Sequence, residues 1–178
     1  LKAKRENLEI IYGGEFETEL KWLVPADLPA ILKLDYEVYS EYLVGEPNLY
    51  ASWITKNTHI ALCAFDKFDP NRCLAYVSAL PLPEKVILQV LKGEKCELDI
   101  TADDILTYDE PGEYTLLVNS VVAIEERYLN RVLSGVLDYW IDNAPGRRIK
   151  RLYAEATSDR GRSLLRKFYF SELSTITD

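Results

Sequence analysis

Asn119 and Ser120 sit side by side in the middle of the long apolar run Tyr114–Ile124, and the chain then passes directly into an amphipathic segment carrying Arg127 and Arg131. An amide and a hydroxyl in a strand can hold a water or a substrate hydrogen bond, but neither is a strong base. The nearest carboxylate by sequence is Glu155, on the next strand candidate. A strand that runs into a helix also presents the helix's unpaired N–H groups and its positive end, which suits an anion. Other chemistries lack material. His59 is the only histidine, and it reads as a packing or strand-edge residue. Cys63, Cys73 and Cys96 have no metal-ligand spacing and are odd in number, so reduced thiols, a cytoplasmic location and no metal site are expected.

The elements that would carry these residues follow from periodicity. Glu19–Val24 alternates as a first strand, and Pro25-Ala26-Asp27 opens a helix with Leu28, Ile31, Leu32 and Tyr36 at helical spacing. Asn48–Thr55 forms a second helix with Leu49, Trp53 and Ile54 inward. Thr58–Phe65 and Cys73–Leu80 are antiparallel strands joined by a polar turn, and Glu84–Lys92 is a helix capped by Gly93. A capping-box pattern at Thr101–Asp104 predicts a short helical turn inside the acidic stretch Glu94–Gly112. Tyr114–Ile124 is then a central strand. Leu129, Val132, Leu133, Val136, Leu137, Trp140 and Ile141 stripe one helix face, and 143–146 stops it. Arg151–Ala156, Asp159–Phe168 and Phe170–Ile176 complete a strand, a helix and a last strand. This order implies a mixed α/β fold, one sheet with an antiparallel front and a parallel pair behind, flanked by helices. Residues 1–18 read as an extension or linker, and 19–178 as a single domain.

The net charge of −8 is unevenly spread. Pro81–Glu113 carries nine carboxylates against three lysines, whereas Arg127–Lys167 carries ten basic residues against four acidic ones. Such polarity assigns the two segments to different partners, or simply to two solvated faces. An acidic chain is a poor nucleic-acid binder, and no apolar run reaches the roughly 18 residues of a membrane span. Neither a nucleic acid nor a membrane is an expected partner, and homodimerisation stays open.

From about Glu19 onward the chain resembles the GNAT superfamily of N-acyltransferases. Two motifs carry the resemblance. One is the strand, then Ile124-Glu125-Glu126-Arg127-Tyr128-Leu129-Asn130-Arg131-Val132-Leu133-Ser134, then helix, against the family's V-x-P-x-x-R-x-x-G-x-G/A. The other is Tyr153–Ser158 with the helix ending Leu164-Leu165-Arg166-Lys167-Phe168-Tyr169-Phe170, where the family ends in a glycine-aromatic pair. The resemblance implies acetyl-CoA or another acyl-CoA as co-substrate, and an amine or lysine-bearing acceptor. It also implies a pyrophosphate cradle over Leu129, Asn130, Arg131, Val132, Leu133 and Ser134, with Arg127 and Ser158 nearby. A register over Glu125–Asn130 is the alternative. Ile124 falls where the family donates a main-chain N–H to the thioester carbonyl.

The loop is glycine-free in either register, and a Cβ branch at Val132 would crowd a phosphate. Arg160, Arg162 and Lys167 fall where the family reaches the adenosine phosphates. Leu165 stands where the family often has a general-acid tyrosine, leaving Asn119, Ser120 and Glu155 as the catalytic candidates. The acidic stretch lies on the family's acceptor side, and Tyr36, Tyr39, Tyr42 and Tyr50 either line an acceptor pocket or pack. A catalytically inactive ligand-binding or protein-interaction module with the same fold is the alternative function.

Overall fold

Five strands lie in one sheet in chain order: β1 (Thr18–Trp22), β2 (Ala61–Asp66), β3 (Cys73–Pro81), β4 (Gly112–Ala123) and β5 (Arg147–Ala154). The computed structural model describes residues 17–39, 46–142 and 146–173. Neighbouring strands are antiparallel except β4 and β5, which run parallel. The expected antiparallel front and parallel pair are therefore present. Residues 1–16 lie outside the described part, and with them nearly all of the stretch read as an extension.

Strand alternation sends successive side chains to opposite faces and so builds two cores. On one face Cys63, Phe65, Tyr76, Leu80, Leu117 and Val122 meet α1 (Leu28–Val38), α2 (Pro47–Lys56) and α3 (Glu84–Leu91). On the other, Leu62, Ala64, Ala75 and Val77 meet Val132 and Val136 of α4 (Glu126–Asp142). β3 is buried along its whole length, as a strand covered on both faces must be. The helix α3 stops in a Schellman motif, with Gly93 at φ +71° and the Glu94 N–H on the Gln89 carbonyl at 2.9 Å.

The acidic stretch is tied down rather than loose. Ile100 and Ile105 are buried, the Trp53 indole N–H donates to the Ile100 carbonyl at 2.9 Å, and the Asn57 amide donates to the Leu106 carbonyl at 2.8 Å. The predicted turn is a 3-10 helix, Ala102–Asp104, whose Asp104 carboxylate accepts from the Thr101 N–H and from Lys95.

Three expectations need correction. The buried face of α1 is Leu28, Ile31, Leu34 and Asp35, while Tyr36 is 58% exposed, so the apolar stripe is rotated and contains an acid. β5 begins at Arg147, four residues early, because its parallel register with Gly112 is set by β4 and tolerates arginines on an exposed edge. Phe170–Leu173 follow the last helix, α5 (Asp159–Lys167), without strand structure, and the rest of the expected last strand lies outside the described residues. The expected helix stop at 143–145 lies outside them too. His59 packs, its ring stacked on Tyr139 at 4.8 Å with Trp22 edge-on at 5.1 Å.

Candidate active site

β4 outlasts its parallel neighbour. Pairing runs from Gly112↔Arg147 to Val118↔Ala154, where β5 ends, while β4 continues to Ala123 with β3 alone beside it. The two strands part at Asn119. There β4 also bulges against β3: Ser78 faces Ser120 and Ala79 faces Val118, which leaves Asn119 as the extra residue. A bulge turns two adjacent side chains toward one face. Asn119 and Ser120 accordingly line the same small cavity of about 30 Å³, together with Tyr76 and Ser78.

Beyond the bulge the antiparallel alternation decides which amides are free. The Ile124 N–H donates to the Leu74 carbonyl at 3.0 Å, so the donor expected at Ile124 is committed to β3. Its side chain is exposed. The amides of Val121 and Ala123 alternate to the other edge, where β5 has left. That of Val121 meets the Tyr39 hydroxyl.

From the parting, a cleft of about 1240 Å³ opens between β4, β5, α4 and α5. Val118, Val121, Leu133, Trp140, Ala154, Ala156, Leu164 and Leu165 give it an apolar wall, and Glu155, Arg162 and Arg166 give it charge.

The helix that follows β4 opens earlier than the first register requires. The Glu125 carbonyl accepts from the Tyr128 and Leu129 amides at 3.2 and 3.3 Å, which makes residues 126 and 127 the positions with amides left for a ligand. Leu129, Asn130, Arg131, Val132, Leu133 and Ser134 are all inside α4. Val132 has no exposed surface and packs on β2 and β3, so its Cβ crowds no cradle; Asn130 is buried as well. Arg131 reaches back to the Thr18 carbonyl at 3.4 Å, on the β1 edge. Arg127 is at the opening, but its guanidinium is held by Glu125 at 3.1 Å and by the Tyr128 hydroxyl at 2.8 Å. Ser158 caps α5, its hydroxyl accepting from the Gly161 N–H at 3.0 Å.

No protein-family model matches the chain, and no curated protein matches it. Solved structures do. Arabidopsis thaliana Naa50, in complex with the bisubstrate analogue CoA-Ac-MVNAL, superposes with a TM-score of 0.55 at 13% identity, covering 92% of this chain and 86% of that one. An aminoglycoside acetyltransferase from an uncultured soil metagenomic sample gives 0.54 at 8% identity, covering 91% and 93%. A Trypanosoma brucei acetyltransferase gives 0.52 at 12%, covering 90% and 97%. The chain has the GNAT fold.

Within this GNAT fold the structure gathers side chains that sequence reasoning passed over. Glu97, in a 3-10 turn of the acidic stretch, accepts from the Asn119 amide at 3.3 Å. Burial pushes its carboxyl up, the Asn119 bond pulls it down, and the charge of Glu155 pushes it up again. Glu97 is thus bonded to Asn119 at the parting and feels the charge of Glu155. Asp35, 5% exposed on α1, accepts the Tyr76 hydroxyl at 2.5 Å, and Ser120 lines one cavity with Tyr76. The sequence signal for Asp35 was an acid at i+4 from Ile31 and i+7 from Leu28, on the apolar face. Of the tyrosine group, Tyr39 reaches the open edge, Tyr50 stacks edge-on against Trp53 at 5.4 Å, and Tyr42 lies outside the described residues.

Tyr169 takes the left-handed position after α5 with φ +62°, its N–H on the Arg166 carbonyl and that of Phe170 on Leu165, a helix-end position usually given to glycine. Leu165 lines the cleft with no hydroxyl. Tyr153 is a tyrosine of the wall, and it donates to Glu84 at 2.9 Å.

Proposed function

We propose that the protein is an N-acyltransferase that moves an acyl group, acetyl in the simplest case, from acyl-CoA to an amine or lysine-bearing acceptor in the cytoplasm. The observation that carries this reading is the parting of β4 from β5 beside the large cleft, with α4 opening three residues past the free end of β4. The residues present fit such a co-substrate. Outward amides of β4 can pair with an extended amide chain as a strand would. The amides of Glu126 and Arg127 and the positive end of a 17-residue helix suit phosphate oxygens, with Arg127 able to exchange Glu125 for them. The thioester supplies the activated acyl carbon. A main-chain N–H at the open edge stabilises negative charge developing on its carbonyl oxygen, and Ala123 and Val121 hold those positions.

The acceptor side is acidic. The charge of Glu155 acts on Glu97, and an ammonium placed between them would relieve that repulsion. Asn119 orients Glu97, and Ser120 faces the neighbouring cavity.

The first test is ligand-dependent melting. Acetyl-CoA at 100 times its Kd stabilises the fold by about 2.7 kcal/mol, and coenzyme A release from acetyl-CoA rises on adding primary amines. A second reading, an inactive binding module, draws on Tyr39 lying near the Val121 amide, Arg127 closed on Glu125, and Leu165 in place of a tyrosine. Stabilisation by acetyl-CoA without amine-dependent thiol release supports that reading; no stabilisation by any CoA ester defeats both.

A further inference from the structure

An ionised carboxylate has little reason to sit in an apolar core unless the site uses it. Asp35 does so, between α1 and β3, among Ile31, Leu34 and Tyr76. Its carboxylate accepts from the Tyr76 hydroxyl at 2.5 Å. Tyr76 is itself 4% exposed, and Ser120 lies beside it from the β4 side, the two lining one cavity. Serine, tyrosine and carboxylate therefore form a continuous line from the bulge into the core. At its outer end lies the roughly 30 Å³ cavity shared by Ser120, Asn119, Ser78 and Tyr76. The Asn119 Oδ1 is buried there with no hydrogen-bond partner among the described residues. The rest of the lining is apolar, including Leu23, Ile31, Trp53 and Ile54, so the polar groups gather on one wall with room for one small donor, a water or an amine nitrogen.

We propose that Ser120, Tyr76 and Asp35 are a proton relay that deprotonates the acceptor ammonium at the bulge and lodges the proton on Asp35. This rests on the reading of the site as an N-acyltransferase and adds the fate of the proton. One N–H bond of the ammonium breaks as the Ser120 oxygen takes its proton. Ser120 passes its own proton to the Tyr76 oxygen, Tyr76 passes its own to an Asp35 oxygen, and the products are a neutral amine and a neutral Asp35. As the amine nitrogen bonds to the acyl carbon and the C–S bond breaks, one of its two remaining protons neutralises the departing thiolate, the other stays on the amide, and Asp35 releases its proton to solvent after turnover. The bond directions agree with this flow, because Tyr76 already donates to Asp35.

Burial pushes Asp35 up to about 6 and the Tyr76 bond pulls it down. The titratable groups around the line are Tyr76 from β3 and Tyr39 from beyond α1. Through Tyr39, Tyr50 of α2 and Glu97 of the acidic stretch also act. Asp35 and Glu97 each push Tyr39 up, so the line is flanked by acids.

The test is a pH profile of acyl transfer from acetyl-CoA for wild type, Asp35→Asn, Tyr76→Phe and Glu97→Gln, with two acceptors. One is a peptide α-amine with a pKa of about 8 and the other a lysine side chain with a pKa of about 10.4. Expected is a loss on the order of 100-fold in kcat/KM at pH 7 for D35N and Y76F, the size general-base removal brings, with acetyl-CoA affinity unchanged. At pH 9 the α-amine is already neutral, so the loss shrinks for that acceptor and persists for lysine. E97Q raises KM and keeps the pH profile. If wild type transfers acyl groups but D35N and Y76F stay within twofold, or their loss is the same at every pH and for both acceptors, the relay is wrong while the enzyme reading stands. Removal of the acidic limb by E97Q instead assigns the base to Glu97 and overturns the relay. A wild type that binds no acetyl-CoA or transfers to no amine overturns the enzyme reading and the relay with it.

Discussion

An Ala156→Trp variant loses acetyl-CoA affinity by about 100-fold or more, roughly 2.7 kcal/mol of binding, while melting close to wild type. Ala156 stands two residues past the end of β5, on the wall of the cleft, and belongs to none of the buried clusters. A tryptophan there places an indole in the space vacated by the parting strands and displaces no core side chain. Overpacking of a filled core would instead cost stability, typically 1–3 kcal/mol. Calorimetric titration of the variant with acetyl-CoA, beside its melting curve, separates the two. Unchanged affinity would show that the co-substrate lies elsewhere, and a collapse in stability would show that the cleft is not free space.

The second large effect is on stability. Asp35→Asn makes the protein more stable at pH 7.5, by roughly 2–3 kcal/mol, which is what a rise of about two pKa units implies. The sign follows from proton uptake. Burial lifts the folded-state value from 3.8 to about 6, so between these limits the native state holds a proton that the unfolded state has lost. Stability due to Asp35 is full below about pH 4 and falls as pH rises through 6. Asparagine keeps the shape and the Tyr76 bond without a charge to bury. Glu97 is shifted the same way. His59 works in the opposite sense: burial and Arg147 depress its value, so its contribution is lost as pH falls below about 6.5. The difference between wild-type and D35N urea midpoints across pH 4–8 isolates the Asp35 part. A flat difference, or a less stable variant at pH 7.5, contradicts the assignment of a strained buried carboxylate.

A residue that lowers stability where it sits belongs to a working site more often than to a scaffold. That is the link between the melting experiment and the relay. A stabilised D35N protein that has lost acyl transfer at neutral pH would join the two.

How much of this was readable beforehand differs by element. The stripe from Leu129 to Trp140 gave α4 its face directly, because a 3.6-residue period needs no partner to be seen. β3 was plain for the same reason, an unbroken apolar run between turn signals. Val132 was part of that stripe and at the same time a cradle position by family resemblance. Its burial shows that packing decides, and the helix opening moves to Glu126. The bulge at Asn119 could not be read from β4 alone, since it is a mismatch between β4 and β3 and belongs to the pair. Asp35 was hidden by a rotation of one residue in the α1 stripe, with Tyr36 taken as the inward position. Glu97 was one of nine acids in its segment, and only the fold brings it to Asn119. The start of β5 was masked by Arg147, Arg148 and Lys150, whose charges read as loop but suit an edge.

The most direct test is to follow the backbone amides by NMR while adding acetyl-CoA. Binding beside the parted strands moves Val121 and Ala123 on the open edge of β4 and Glu126 and Arg127 at the start of α4 the most, with β1 and β2 unmoved. Saturating acetyl-CoA that leaves those four amides in place, or shifts confined to the arginine edge of β5, would contradict it.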